Sequence, residues 1–247
     1  MKAIILVAGY ATRMYPLTLI QPKALLPVGG RPIIDRIVDQ INELPDINEI
    51  IVVSNHKFIS QFQTWVEKVV SKIPITLLDD GSTTEDDRLG AIGDIHFTVH
   101  LKNITEDIVV IAGDNFIDYP LMEQYEFFKE KQSDTVAAKR ISDRILLTRL
   151  AVATLDETSK ILSLVEKPTD PPSDLAIFAT YFYKADTLPL FDQYLKEGNT
   201  PDAPGYFVQW LHKAKDVYAY IMNGDCIDIG TVDAYKELNS MIEAQGK

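Results

Sequence analysis

One cysteine, Cys226, stands among 247 residues. No intrachain disulfide and no cysteine-built zinc cluster can form, which fits a reducing compartment and leaves Cys226 to read as a small buried hydrophobe. Long apolar runs are missing too. The opening Ile4-Ile5-Leu6-Val7-Ala8 falls short of the roughly 18 to 20 residues of a membrane span and of a secretory leader, so the expectation is a cytoplasmic protein without a membrane partner. Positive charge is scarce: 24 lysines and arginines face 36 aspartates and glutamates, a net charge of -12. That balance argues against a nucleic-acid partner, because such binding rests on many cations neutralising phosphates. The familiar glycine fingerprints are absent as well. Gly9-Tyr10-Ala11-Thr12-Arg13 is neither G-x-G-x-x-G nor G-x-x-x-x-G-K-[ST], so hydride transfer and P-loop hydrolysis lose support. His56, His96, His100 and His212 lack a metal-binding spacing and read as ordinary surface or packed residues, and no serine sits in a nucleophile elbow.

What is present is a hydrophobic content of 46%, enough for one α/β domain over residues 1–247. Within residues 1–36, Lys2, Arg13, Lys23, Arg31 and Arg36 face a single acid, Asp35, so the acidic chain has a basic entrance suited to a small polyanion. The apolar run Ala3 to Ala8 reads as a parallel strand buried on both faces, ending at Gly9. Pro16, Pro22, Pro27, Gly29 and Gly30 then punctuate a long loop of the kind a compact domain keeps for function. Helical periodicity after Pro32 leads to strand Glu49 to Ser54, helix Ile59 to Val70, strand Ile75 to Leu78, helix Leu89 to Val99 and strand Ile108 to Ala112. This β-α-β order implies a parallel sheet, and Gly9, Asp80 and Asp114, each following a strand, should open onto one crevice beyond the carboxyl ends.

The second half reads as a more antiparallel extension: helix Leu121 to Lys131, then strands Thr135 to Arg140, Arg149 to Leu155, Ile161 to Glu166 and Leu175 to Tyr183. Asp186 is placed to cap a helix to Lys196, and another helix covers Tyr206 to Lys213. Strands Val217 to Met222 and Cys226 to Ile229 and a helix from Val232, with Thr231 as N-cap, close the chain. Tyr181 and Tyr183 alternate in their strand as core or pocket wall.

Leu6 to Thr18, with Gln21-Pro22-Lys23-Ala24-Leu25-Leu26-Pro27-Val28 and Gly29-Gly30-Arg31-Pro32, resembles the signature of the sugar-1-phosphate nucleotidyltransferases. The resemblance covers nearly the whole chain and looks nearest to the glucose-1-phosphate thymidylyltransferases that lack a C-terminal β-helix. It implies their fold: a Rossmann-like, mixed, mainly parallel sheet flanked by helices, with a smaller, partly antiparallel sugar-binding extension. The nucleotide-binding half would span about 1–118, and the half carrying the sugar phosphate and the second metal aspartate about 119–247. By the same resemblance Ala8, Gly9, Tyr10, Ala11, Thr12, Arg13, Lys23, Asp80 and Gly113 surround the nucleotide, with Arg13 and Lys23 on its phosphates. Asp114 and Asp228 hold Mg²⁺, Lys167 meets the sugar phosphate, Glu166 the sugar hydroxyls, and Ala151 and Ala179 lie near the sugar. The implied reaction joins a nucleoside triphosphate, dTTP or UTP, to a sugar 1-phosphate, glucose 1-phosphate foremost, and releases pyrophosphate.

The match departs from the family at several positions. Ala11, Ala151 and Ala179 stand where relatives commonly carry glycine, and the loop Asp79 to Arg88 lacks the glutamine that thymidylyltransferases use on the base, leaving Asp80 as its nearest substitute. A carboxylate there suits guanine as well as thymine or uracil. Two other readings stay open, a phosphocholine cytidylyltransferase and a catalytically silent nucleotide-sugar-binding regulator. Oligomeric state is not legible, which leaves a homo-oligomer open.

Overall fold

The computed structural model describes residues 1–244. The chain runs β1 (Lys2–Leu6), two short strands β2 (Pro27–Val28) and β3 (Arg31–Pro32), α1 (Ile33–Asn42), β4 (Glu49–Ser54), α2 (Ile59–Val66), β5 (Ile75–Asp79), α3 (Ala91–Leu101), β6 (Ile108–Ala112), β7 (Asn115–Ile117) and α4 (Leu121–Lys131). It continues through β8 (Asp134–Arg140), α5 (Arg144–Leu147), β9 (Ala151–Leu155), β10 (Ile161–Glu166), β11 (Leu175–Tyr183), α6 (Leu188–Lys196), α7 (Pro204–Leu211), β12 (Val217–Ile221), β13 (Cys226–Asp228) and α8 (Val232–Ala244). Nine strands form a mixed sheet in the order β10-β9-β11-β6-β1-β4-β5, with β8 against β11 and β12 against β8. Its β6-β1-β4-β5 part is entirely parallel, and β11, β9 and β10 join antiparallel.

Helices cover both faces because the strands alternate between two apolar sets. Ile4 and Leu6 of β1 pack with Ile92 and Ile95 of α3 and Phe207 of α7, while Ala3, Ile5 and Val7 pack with Ile34 and Ile37 of α1, Phe62 of α2 and Phe128 of α4. Side chains of one strand point alternately up and down, so a run apolar at every position needs a helical layer on each side. Tyr181 and Tyr183 are both buried, their rings stacked 5.7 Å apart, and belong to the core. Cys226 is a buried free thiol whose pKa burial pushes up to about 12.

Several element boundaries differ from the sequence expectation for local reasons. Helix α3 starts at Ala91 because Gly90 takes a positive φ of 79° just before it, in space where a Cβ would lie 2.6 Å from the Pro201 carbonyl oxygen. Asp186 does not cap α6: it sits in a 3₁₀ turn, paired with Lys215 at 2.6 Å, and the helix begins two residues later. Thr231 does cap α8, its Oγ1 accepting from the Ala234 N–H at 3.2 Å. The short β7 and the single-turn α5 went unread because three or four residues carry no usable periodicity. Among the described residues, no helix is long and apolar enough to cross a membrane.

Candidate active site

The carboxyl ends of β1 and β6 open onto a cleft of about 480 Å³. Ala8, Gly9, Tyr10, Ala11, Thr12, Arg13 and Lys23 line it from the first loop, Asp114 from beyond β6, and Ala179, Asp202, Ala203 and Pro204 from the second half. Ala11 has φ 48° and ψ 45°, so the left-handed turn that glycine would take freely is kept by an alanine. Buried Thr18 fastens that turn, donating from Oγ1 to the Ala11 carbonyl at 2.8 Å, and the Met14 N–H donates to the same carbonyl at 2.9 Å. The Arg13 guanidinium lies beside Gly230, whose Cβ, if present, would stand 3.6 Å from Arg13 Nη2 and 3.5 Å from Asp228 Oδ2.

Two aspartates far apart in the chain meet here because of a short ladder. β13 pairs antiparallel with β7, placing Asp228 opposite Asn115, the residue after Asp114. A separate small core holds this ladder to the first loop: Met14, Leu26, Val28 and Ile33 pack on Phe116, Ile229, Leu238 and Ile242. Burying each such side chain contributes about 1.5–3 kcal/mol, enough to bind α8 and the ladder to the loop. Lys23, in the turn after Pro22, then reaches both carboxylates, with Nζ 2.9 Å from Asp114 Oδ2 and 2.8 Å from Asp228 Oδ1. Burial opposes its charge, but the two carboxylates outweigh that and raise its pKa. The aspartates themselves remain half exposed toward the cleft. Two hard oxygen donors converging on one cation are the set that magnesium takes from proteins, so the residues fit that ion.

Gly113 has a different setting. It does not line the cleft; a Cβ there would lie 2.4 Å from Val7 Cγ1, so glycine lets the chain press against β1 before turning out at Asp114. Asp80 sits behind the cleft wall, with Oδ1 accepting from the Ser82 N–H and hydroxyl, each at 2.7 Å. Its neighbour Asp94, on α3, lines the cleft and escaped the sequence reading. Burial, with the Asp80 charge adding, pushes the Asp94 carboxyl up to about 8, so it holds its proton near neutrality. Burial also raises Asp80, less strongly.

Glu166, Lys167, Ala151 and Ala179 lie on the antiparallel side. Ala179 falls where the pairing of β11 with β8 shifts register, an irregularity that interrupts the ladder and re-aims side chains. Lys167 adopts a left-handed φ of 48°, its N–H bonded to the Leu150 carbonyl, and its ammonium stands 3.8 Å from Glu166 Oε1. The Glu166 side chain is buried, and burial raises its pKa against the opposing Lys167 charge. Sequence reasoning missed two of its neighbours. Gly205 leaves the room the carboxylate occupies, since a Cβ there would lie 1.8 Å from Glu166 Oε2 and 3.0 Å from Ala151 Cβ, and Gln209 accepts the Glu166 N–H at 2.7 Å. Both come from α7, distant in sequence, so no local pattern could reveal them. Pro204, beside Gly205, joins this cluster to the cleft.

Residues 2–245 match the family model described as nucleotidyl transferase, and the chain belongs to that family. It is 25% identical to a glucose-1-phosphate thymidylyltransferase of Streptomyces griseus, over 98% of this chain and 66% of that protein. It is 26% identical to a mannose-1-phosphate guanyltransferase of Debaryomyces hansenii, over 93% of this chain and 61% of that protein. The chain thus spans roughly three fifths to two thirds of the length of these curated relatives. Among solved structures, a UDP-glucose pyrophosphorylase complexed with UDP-glucose superposes with a TM-score of 0.83 at 20% identity, covering 99% of this chain and 98% of the other, a likeness of fold.

Proposed function

We propose that this protein transfers a nucleoside monophosphate from a nucleoside triphosphate to a sugar 1-phosphate and releases pyrophosphate. The observation that carries the reading is the convergence of Asp114 and Asp228 on Lys23, with Arg13 lining the same cleft beside Gly230. Mg²⁺ held by Asp114 and Asp228 would supply charge neutralisation and alignment of phosphate oxygens.

The chain's own residues do the remainder. A sugar phosphate is largely dianionic near neutral pH, its second pKa being about 6, so its oxygen attacks without a general base. Repulsion between two polyanions is the main obstacle. Backbone N–H groups of the Gly9 to Thr12 loop and the forked Arg13 guanidinium receive triphosphate oxygens, and Lys23 adds a point charge. Lys167 draws in the sugar phosphate, while Glu166, its main-chain N–H held by Gln209 and its carboxylate seated in the space Gly205 leaves, takes sugar hydroxyls. Catalysis is then positioning plus electrostatic stabilisation of charge on the departing pyrophosphate.

The substrates we favour are glucose 1-phosphate with dTTP or UTP, in line with the names of the thymidylyltransferase and pyrophosphorylase relatives. GTP is a second reading, in line with the name of the mannose-1-phosphate guanyltransferase relative; Asp80, behind the cleft wall with its Oδ1 taken up by Ser82, gives it no support. Phosphocholine is disfavoured, because Tyr10 is the one aromatic among the described cleft-lining residues and a quaternary ammonium calls for an aromatic cage. Pyrophosphate release with Mg²⁺, a panel of sugar 1-phosphates plus choline phosphate, and each nucleoside triphosphate tests all of this. Turnover with one sugar phosphate and triphosphate pair is the expected result. Confirmed nucleotide binding without turnover for any pair would replace the enzyme with a silent regulator.

A further inference from the structure

Outside the cleft, helices α3 and α6 pack side by side, and their outer faces bring together two imidazoles and a carboxylate. His96 and His100 lie one helical turn apart on α3, the i, i+4 spacing that puts side chains on one face. Their rings stand 4.3 Å apart between centroids. Asp192 of α6 faces them, its Oδ1 3.5 Å from His96 Nε2. That nitrogen is buried and has no hydrogen-bond partner. The other Asp192 oxygen, Oδ2, pairs with Lys196 at 2.7 Å, so the carboxylate is fixed in place with Oδ1 turned to the histidines. One donor atom from each of His96, His100 and Asp192 lies within 4.8 Å of the others.

We propose that His96, His100 and Asp192 form a binding site for a borderline divalent transition metal of the Zn²⁺ class, separate from the aspartate pair of the cleft. The chain pattern offers only two of the three ligands, and the third arrives from another helix, which is why the spacing reads as ordinary in the sequence. Imidazole donors select zinc, nickel or copper over magnesium or calcium, which take oxygen ligands. Two histidines and a carboxylate are a familiar three-ligand set for zinc and leave a fourth position for water. Donors around one tetrahedral zinc stand ~3.3 Å apart, so exposed His100 has only to turn inward from its present rotamer while half-buried His96 and pinned Asp192 stay in place. A hydrophobic groove of Leu89, Phe97, Leu101, Leu195 and Pro201 borders the two histidines and offers no competing ligand of its own.

The test is calorimetric titration of the full chain with ZnCl₂ in a large excess of Mg²⁺, which occupies the hard oxygen donors of the cleft. At a pH where imidazole is neutral, the wild type should bind one zinc per chain, and His96→Ala, His100→Gln and Asp192→Asn should each lose at least ~10-fold in affinity. His100 and Asp192 are solvent-accessible, so their variants should fold, as circular dichroism will show. Co²⁺ as a second probe should give the intense visible absorption of a four-coordinate site in the wild type and lose it in His100→Gln. Zinc binding unchanged in His100→Gln and Asp192→Asn, or abolished only by Asp114→Ala, would overturn the site.

Discussion

The two ends of the parallel strands both carry charge, and they use it in opposite ways. At the amino ends nearly every charge is matched: the chain's own ammonium pairs with Glu106 at 2.7 Å, Lys2 and Lys102 each reach Glu49 at 3.0 Å, and Lys184 reaches Asp107 at 2.8 Å. At the carboxyl ends the matching is incomplete. Arg13 makes no ion pair among the described residues, one lysine serves two aspartates, and Asp94 is buried beside another acid. Carboxyl groups report the contrast directly. Glu49, although burial works against its charge, is brought down to about 2 by the Thr76 hydroxyl and two lysines, whereas Asp94 is driven up to about 8. Matched charges stabilise a fold, while unmatched ones at a cleft remain available to a ligand.

The largest expected effect lies at the cleft. Lys23→Ala or Asp114→Ala should lower the rate of pyrophosphate release by ~10³-fold or more, with the far-ultraviolet circular dichroism unchanged. A removal at the other end, Glu49→Gln, should leave that rate untouched; near-normal rates in the cleft variants would erase the distinction between the ends. Next comes Gly205→Ala, which must displace the Glu166 carboxylate. The KM for sugar phosphate should rise ~10-fold or more while that for the triphosphate holds, and equal changes in both would remove Glu166 from the sugar's side.

Stability against pH sharpens the comparison further. Because the folded pKa of Glu49 is depressed, its contribution is present above the unfolded value near 4.5 and is lost as pH falls through about 2. Glu49→Gln should therefore cost about 2 kcal/mol at neutral pH and progressively less in acid, read from urea unfolding. Asp94 has the opposite sign. Its folded pKa is raised, so its contribution is complete below the unfolded value near 3.8 and is lost as pH rises through about 8. Asp94→Asn should gain on the wild type steadily across that interval, and parallel curves for the two variants would refute the contrast. The smallest effect belongs to Ala11→Gly. It relieves a left-handed alanine but loosens the unfolded chain, a net change within ~1 kcal/mol measurable by the same unfolding.

Much of this architecture was legible in the residues themselves. β4, β6, α4, β10 and β11 fall where periodicity places them, and the run from Leu6 to Val28 marks the loop that supplies much of the cleft lining. Periodicity works there because each of those segments is long enough to display which face it buries. It fails for β7, whose three residues show no period, yet the β7–β13 ladder is what sets Asp228 beside Asp114.

The chain by itself determined the alternation of strand and helix, the two-sided burial of the parallel strands and the identity of the charged residues after them. Only the tertiary structure decided that Lys23 spans two aspartates, that Gly205 makes room for Glu166, that Asp94 keeps its proton and that Asp192 joins His96 and His100. The reason is physical. Local pattern records burial within one segment, whereas distance and desolvation between segments arise only when separate helices and strands pack against a shared core.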